Sequence, residues 1–422
     1  MNRARWIAVA VVALAAFGVY WIVEPTLEGM RYADTADEGF YLRYLKRVSS
    51  EGLGVLPRLN EEWIADRGNW IYPPPTRVGL IGASALFGSF FGASMETLSY
   101  FSLASTIALV VVQYVFARRH TGELQAVLLA VLTAGCALYL ALSRRALSDA
   151  FTLLCQTVTL WTFLETLRSP RSWPARLAFV VAFAWTIATK EIGALLSIPL
   201  FAFASVERLR GRAEVSLVAH AASMTAAVAL AVGAWILACG GFATWMRSTE
   251  IVLGSPATNE WAIAYCSGPW YRYAIDELLM SPWTTTLGLL GMATALWRWR
   301  NGDYDALAVF LAVVYVGQIA TLAPFVKNLR YAALLELPLR LSAVALLLHP
   351  SVLGRTLVSR GVAVALVALM AAANVRDFQR FFIAANIYDP VSVHLVRYRE
   401  MLPPLKKPRD AADSPAGAAD ER

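Results

Sequence analysis

The sequence predicts an all-α polytopic membrane protein with about eleven transmembrane helices and a long outer loop of interfacial helices after the first one. Of its 422 residues, 58% are hydrophobic and only 16% are charged, whereas about a quarter of an ordinary soluble domain is charged. The mean hydropathy is +0.53. The apolar residues fall in runs of roughly 18 to 24, long enough to cross a bilayer as α-helices. Lipid offers no partner to backbone N–H and C=O groups, so these runs must be helical.

Two other classes of protein are excluded by charge and by metal-ligand residues. The formal net charge is +7, but Lys and Arg are scattered singly between the apolar runs, so no nucleic-acid partner is expected. The four cysteines form no CxxC pair and the four histidines lie far apart. This pattern argues against a zinc or iron–sulfur site.

The first predicted helix, 6–23, sets the topology. It resembles a signal peptide but lacks a small-residue cleavage site and is followed by further spans, so we expect it to be retained. Lys and Arg in short loops mark the cytoplasmic side, and Arg3 and Arg5 therefore place the N-terminus in the cytoplasm. Residues 24–77 then form a long outer loop of a multi-pass protein of the plasma (inner) membrane.

Residues 78–91 form a short, Gly-rich apolar run that decides the side of every later loop. As a full span, this run would place Arg118 and Arg119 outside, against the preference of Arg for the cytoplasmic side. We therefore predict a re-entrant or interfacial helix on the outer side. The remaining predicted spans are 98–116, 124–142, 147–164, 177–189, 192–206, 215–238, 283–297, 306–325, 331–348 and 362–374.

On this topology, polar residues gather in the outer loops and turns. A charge beside the hydrocarbon is costly, so each one is a candidate for function. The candidates are Asp37, Glu38, Tyr72, Arg144, Arg145, Asp149, Lys190, Lys327, Arg330 and Tyr331. We expect one polar pocket ringed by helix ends.

Some of these residues have simpler interpretations. Asp149 could complement a helix N-terminus, and Arg144 with Arg145 could bind lipid phosphates. Lys190 lies between two short predicted spans, where a solvated hairpin would also place it. Glu336 and Arg340 are four residues apart within one span, and we expect them to pair with each other.

The acidic pair Asp37-Glu38 is the more specific signal. Leu42, Leu45 and Val48 follow at a spacing that puts apolar side chains on one face of a helix. The pair would open a helix lying on the membrane, where the helix dipole favours ionised carboxylates. A base held there could meet a lipid-borne substrate, whereas an acidic N-cap without chemistry is the alternative.

The order of motifs resembles the GT-C superfamily of polytopic glycosyltransferases, in particular family 39-like members of the protein O-mannosyltransferase and lipid A aminoarabinose transferase branch. The motifs that carry this resemblance are Asp37-Glu38, Tyr41, 55–60, 72–75, 86–88, 143–149, 188–191, Arg330-Tyr331 and Leu337-Pro338. Two positions depart from the family pattern. Tyr72 and Pro73 stand where the family often has Lys or His before Pro-Pro, and Glu191 replaces a small Gly.

The resemblance implies an inverting glycosyltransferase that moves a hexosyl or pentosyl group from a polyprenyl phosphate to an acceptor hydroxyl at the outer face. Asp37 is then the candidate base and Glu38 its positioning partner, or the reverse. Arg77, Arg144, Lys190 and Arg330 are candidates for contact with the departing phosphate. The acceptor could be a lipid, a glycan or a protein.

The resemblance also implies how the chain is divided into segments. Residues 1–374 form the transmembrane glycosyltransferase domain, with outer loop 24–77 catalytic and outer loop 240–282 in recognition, although its Trp and Tyr could equally be interfacial anchors. A short outer segment, 375–402, and a disordered tail, 403–422, follow. No cofactor is firmly implied, but Asp37 and Asp149 could share a divalent cation.

Other functions are compatible with a polytopic protein. A transporter of solutes or lipid-linked glycans would also carry intramembrane charges, but no two halves of the chain repeat and the charges gather on one side. A polysaccharide polymerase or ligase typically places its large outer loop late in the chain. A non-enzymatic scaffold would leave the clustered charges without a role.

Overall fold

A computed structural model describes residues 3–27, 36–212, 214–353 and 356–396, and the described residues form helices and no β-strand. This confirms the predicted all-α fold. The α-helices are α1 (Arg3–Val23), α2 (Asp37–Glu51), α3 (Leu56–Ala65), α4 (Val78–Phe91), α5 (Met95–His120), α6 (Glu123–Ala134), α7 (Ala137–Ser143), α8 (Asp149–Arg168), α9 (Trp173–Thr189), α10 (Ser197–Leu209), α11 (Leu217–Ala238), α12 (Phe242–Thr258), α13 (Glu260–Cys266), α14 (Arg272–Met280), α15 (Pro282–Arg300), α16 (Ala306–Leu322), α17 (Glu336–Leu347), α18 (Pro350–Leu353), α19 (Leu357–Phe378) and α20 (Ser392–Val396).

Within the described ranges, six helical segments are long and apolar enough to cross a membrane. Helices α6 and α7 would form a seventh span together, but they are bent by 57°. Gly135 lies at this break, where a Cβ would come within 2.9 Å of the backbone oxygen of Ala371 on α19. The bundle is therefore confirmed, whereas the count of about eleven spans stays a prediction.

Helix α4 is the run whose side decides the topology. Its 14 residues extend about 21 Å, which is short of the roughly 30 Å hydrocarbon core. It packs against α2, α5 and α9. A Cβ at Gly79 would come within 2.7 Å of the hydroxyl of Thr189, so glycine permits the close approach that brings Arg77 beside the end of α9. The re-entrant or interfacial assignment stays a prediction.

The first loop contains the predicted amphipathic helix. Helix α2 begins at Asp37 and has both acidic residues in its first turn, as expected from the sequence. Its apolar face, which includes Leu45 and Val48, is buried against α4. This packing fixes the N-terminus of α2 over the bundle.

Polar and small residues also occur deep in the bundle. Glu336 and Arg340 are both fully buried and form the expected i,i+4 ion pair. All four cysteines are free and buried. The predicted tail, 403–422, lies outside the described residues, as does 397–402.

Helices α15 and α17 pack backbone to backbone at Gly288. A Cβ there would lie 2.5 Å from the backbone oxygen of Leu339. Gly288→Ala is therefore expected to destabilise the fold by about 1–3 kcal/mol, the usual cost of overpacking. Thermal unfolding of the detergent-solubilised protein measures the effect. Gly233→Ala is the matched control because a Cβ on α11 there meets nothing within 4 Å; equal stability of both variants would contradict the close packing.

Candidate active site

Arg330 is the centre of a charged cluster at one end of the bundle. It lies in the segment between α16 and α17, and its side chain is buried. Each nitrogen of its guanidinium contacts a different carboxylate. Nη2 lies 3.1 Å from Asp37, Nε 3.2 Å from Asp149 and Nη1 3.1 Å from Asp389. Residues far apart in the sequence thus meet around one cation.

Lys190 is the second cation of this cluster. Its Nζ donates to the other oxygen of Asp149 at 2.5 Å and lies 4.5 Å from the ring centre of Tyr331. The sequence explains the placement, because Asp149 is the first residue of α8 and Lys190 directly follows α9. Burial lowers the pKa of Lys190, while the charge of Asp149 opposes that shift.

Arg77 forms a group beside this cluster. Its Nε lies 3.2 Å from both carboxylate oxygens of Glu191, and Nη1 donates to the hydroxyl of Tyr41. That hydroxyl in turn donates to Ser148 at 3.2 Å. Burial raises the pKa of Tyr41 to about 12, so the phenol stays protonated at neutral pH. The departure from the family at Glu191 thus supplies a partner for Arg77.

The structure distinguishes the two adjacent carboxylates. Glu38 is fully buried, and its Oε1 lies 3.2 Å from Nε of Arg145. Arg145 also donates to the backbone oxygen of Tyr388 at 2.8 Å and lies beneath the ring of that residue. The side chain of Asp37, by contrast, is 28% exposed. Of the two carboxylates, Asp37 is therefore the one accessible at the surface of the protein.

Three further sequence candidates, Arg144, Tyr72 and Lys327, contact the chain around the cluster. Arg144 donates to the backbone oxygens of Phe382 and Thr26. The ring of Tyr72 stacks on Phe40, with the ring centres 4.5 Å apart. Lys327 donates to carbonyls of its own turn. These contacts hold loops and chain ends together around the site.

Tyr388 and Asp389 also contact Arg330, although neither residue was a candidate from the sequence. The ring of Tyr388 lies over Arg145 and 5.7 Å from the guanidinium carbon of Arg330. Both residues belong to the segment after the last predicted span, to which no role was assigned. A charged residue beside an aromatic one and before Pro390 was the only available signal, and it is a weak one.

The place between Asp37 and Asp149 is taken by the guanidinium of Arg330, which contacts both. The sequence had allowed a shared divalent cation there. Among the residues that the structure describes, no group of three His, Cys, Asp or Glu side chains converges as a metal-binding set.

The segment 240–282 has two different surfaces. Trp270 and Tyr271 are exposed, as either sugar recognition or membrane anchoring would require. Asp276 and Glu277 are fully buried instead. Because both are buried, these two carboxyls do not form part of an exposed recognition surface. Burial also raises the pKa of Asp276 to about 6 and that of Glu277 to about 8.

Comparisons with known proteins agree with this architecture. Residues 83–237 match the family described as dolichyl-phosphate-mannose-protein mannosyltransferase. Two structures of ArnT from Cupriavidus metallidurans, one bound to undecaprenyl phosphate and one in the apo state, match 89% of this chain and 76% of theirs, with 16% identity and a TM-score of 0.60. The chain has the GT-C fold. None of the curated protein sequences matches it.

A second GT-C structure extends the comparison. The match to the apo oligosaccharyltransferase of Archaeoglobus fulgidus covers 87% of this chain and 56% of the oligosaccharyltransferase chain, with 13% identity and a TM-score of 0.58. At these identities the solved structures show the fold, and the family match over residues 83–237 is the finding that supports glycosyl transfer in general. The family match includes Asp149 and Lys190 but ends before Arg330 and begins after Asp37.

Proposed function

We propose that the chain is an inverting glycosyltransferase that moves a sugar from a polyprenyl phosphate to an acceptor hydroxyl. The contact between Asp37 and Arg330, 3.1 Å apart, carries this proposal. It places a partly exposed carboxylate beside a cation suited to bidentate phosphate contact. The structure of ArnT bound to undecaprenyl phosphate supports a polyprenyl-phosphate donor.

In the proposed reaction, Asp37 takes the proton of the acceptor hydroxyl while the oxygen of that hydroxyl attacks the anomeric carbon of the donor sugar. The bond from that carbon to the phosphate oxygen breaks, and the electron pair leaves with the polyprenyl phosphate. Arg330 and Lys190 stabilise the negative charge of the leaving phosphate. General-base and electrostatic effects together provide the acceleration.

Inversion puts the attacking oxygen and the leaving phosphate on opposite faces of the sugar. The sugar would therefore enter between Asp37 and Arg330 and separate them. The sugar would displace Asp37 from Arg330 and not Asp149, because the side chain of Asp37 is 28% exposed and that of Asp149 only 1%. Asp149 would stay in place with Lys190 and keep Arg330 oriented.

The proposal includes the side of the membrane. Arg3 and Arg5 favour a cytoplasmic N-terminus, so the cluster would lie at the outer face of the plasma membrane. Loop 24–77 would supply the base, and loop 240–282 would contribute to substrate recognition through its exposed aromatic residues. A lipid, a glycan or a protein would be the acceptor.

Removal of the gene is the experiment that tests the function. We expect mass spectrometry of cell-envelope glycans and glycolipids to show the loss of one sugar, with restoration by the wild-type gene. Purified protein in vesicles should then release polyprenyl phosphate from the donor of that sugar. Movement of a solute or a lipid-linked glycan across the vesicle membrane without consumption of donor would instead establish a transporter.

A further inference from the structure

A C-terminal strap, residues 379–396, folds back over the charged cluster. It begins with a π-helical turn, Gln379–Ala384, and ends with α20. The strap is fixed along its length, because Arg145 donates to the backbone oxygen of Tyr388, the amide of Leu329 donates to Pro390, and Ser392 donates to Asp276. It thus forms one wall of the site.

Asp389 is the strap residue that reaches Arg330. Its Oδ1 lies 3.1 Å from Nη1 of Arg330 and accepts from the side-chain nitrogen of Asn328 at 2.7 Å. The side-chain oxygen of Asn328 accepts from the backbone N–H of Arg330 at 3.1 Å. Asp389 and Asn328 therefore hold both the backbone and the side chain of Arg330.

The planar geometry of the guanidinium explains how these contacts orient Arg330. An arginine side chain has five N–H donors in one plane. Asp149 takes the N–H of Nε, and Asp389 and Asp37 each take one N–H of the two terminal nitrogens. Each terminal nitrogen has a second N–H, so the two nitrogens together form a fork suited to binding a phosphate bidentately. Anchors at Nε and Nη1 fix the direction of that fork even when Asp37 departs.

We propose that Asp389 is a positioning residue, which aims the fork of Arg330 at the phosphate of the lipid-linked donor. This inference rests on the proposed function and adds to it the C-terminal strap. Asp389 acts through Arg330 and takes no part in bond making or breaking. Together with the ring of Tyr388, which covers Arg145 and Arg330, it makes the strap part of the donor site.

Charge and position have opposite effects here, which makes the proposal testable. Asp389 is an anion near the expected position of an anionic phosphate, so its removal would improve donor binding by simple electrostatics. Loss of orientation would weaken donor binding, because a displaced fork no longer matches the phosphate. The sign of the change in donor affinity therefore separates the two roles.

The experiment compares Asp389→Asn, Asp389→Glu and Asp303→Asn in the full-length protein in nanodiscs. For Asp389→Asn we expect the donor KM and the Kd for undecaprenyl phosphate to rise about tenfold, with kcat changed by less than about threefold. Asp389→Glu should recover part of the loss. Asp303→Asn makes the same chemical change in the loop between α15 and α16, where Asp303 is exposed and pairs with Arg298, so it should leave both constants unchanged.

Each other outcome has a defined meaning. An unchanged or lowered donor KM in Asp389→Asn would overturn the positioning role, and so would an equal rise in Asp303→Asn. A fall in the unfolding temperature of Asp389→Asn with unchanged Kd would likewise overturn it and show a structural role. A wild-type protein that binds no undecaprenyl phosphate would count against the proposed function itself, which keeps the two failures distinguishable.

Discussion

Asp37→Asn is expected to lower kcat for sugar transfer by about 10²–10⁴-fold, the usual contribution of a general base. The amide has nearly the shape of the carboxylate but cannot accept the proton of the acceptor. The side chain of Asp37 is 28% exposed and pairs with Arg330, which keeps Asp149 and Asp389 as partners, so the substitution should cost little stability. Turnover by purified protein and the unfolding temperature measure the two effects separately.

Two further carboxylates are the controls. Glu61→Gln makes the same chemical change at an exposed position of the same loop and should leave turnover unchanged. Glu38→Gln removes the partner of buried Arg145; breaking such a pair costs about 3–5 kcal/mol, so it should lower the yield of folded protein. Near-normal turnover in Asp37→Asn would remove Asp37 from the role of base.

The fold and the end of the bundle that carries the charges could be predicted from the sequence because a bilayer imposes local rules. Each span needs a long apolar run, and a charge is tolerated where that run ends. Asp37 at the start of α2, Asp149 at the start of α8 and Lys190 after α9 follow these rules. They meet in one charged cluster because consecutive spans run in opposite directions.

The contacts between side chains within that charged cluster could not be predicted in the same way. Asp37 and Glu38 are neighbours in sequence, and only the packing of α2 buries one and exposes the other. Asp389 meets Arg330 because the chain returns over the site after α19, and no local pattern records that return. Tyr72 was selected for its motif, but the structure places its ring against Phe40.

The contacts in the charged cluster also explain why replacement of Arg330 is expected to lower activity more than replacement of the other cations. Lys190 has Asp149 as its carboxylate partner and Arg77 has Glu191, whereas Arg330 joins three carboxylates that come from three different parts of the chain. Loss of Arg330 would remove the positive charge that faces Asp37 and leave Asp149 and Asp389 with less compensation. Both the phosphate contact and the arrangement of the pocket depend on it.

Arg330→Gln is therefore expected to lower kcat/KM for the lipid-linked donor by about 10²–10³-fold, as when a charge-stabilising donor is removed from an active site. Kinetics with donor varied at fixed acceptor measure the loss. Because Arg330→Gln also removes one of the partners of Asp149 and of Asp389, Arg330→Lys serves as a second variant that keeps the charge. Lysine has no planar fork, so it should restore folding while donor use stays about tenfold below wild type. Wild-type donor kinetics in folded Arg330→Lys would show that a point charge suffices, and wild-type kinetics in Arg330→Gln would contradict phosphate binding at this position.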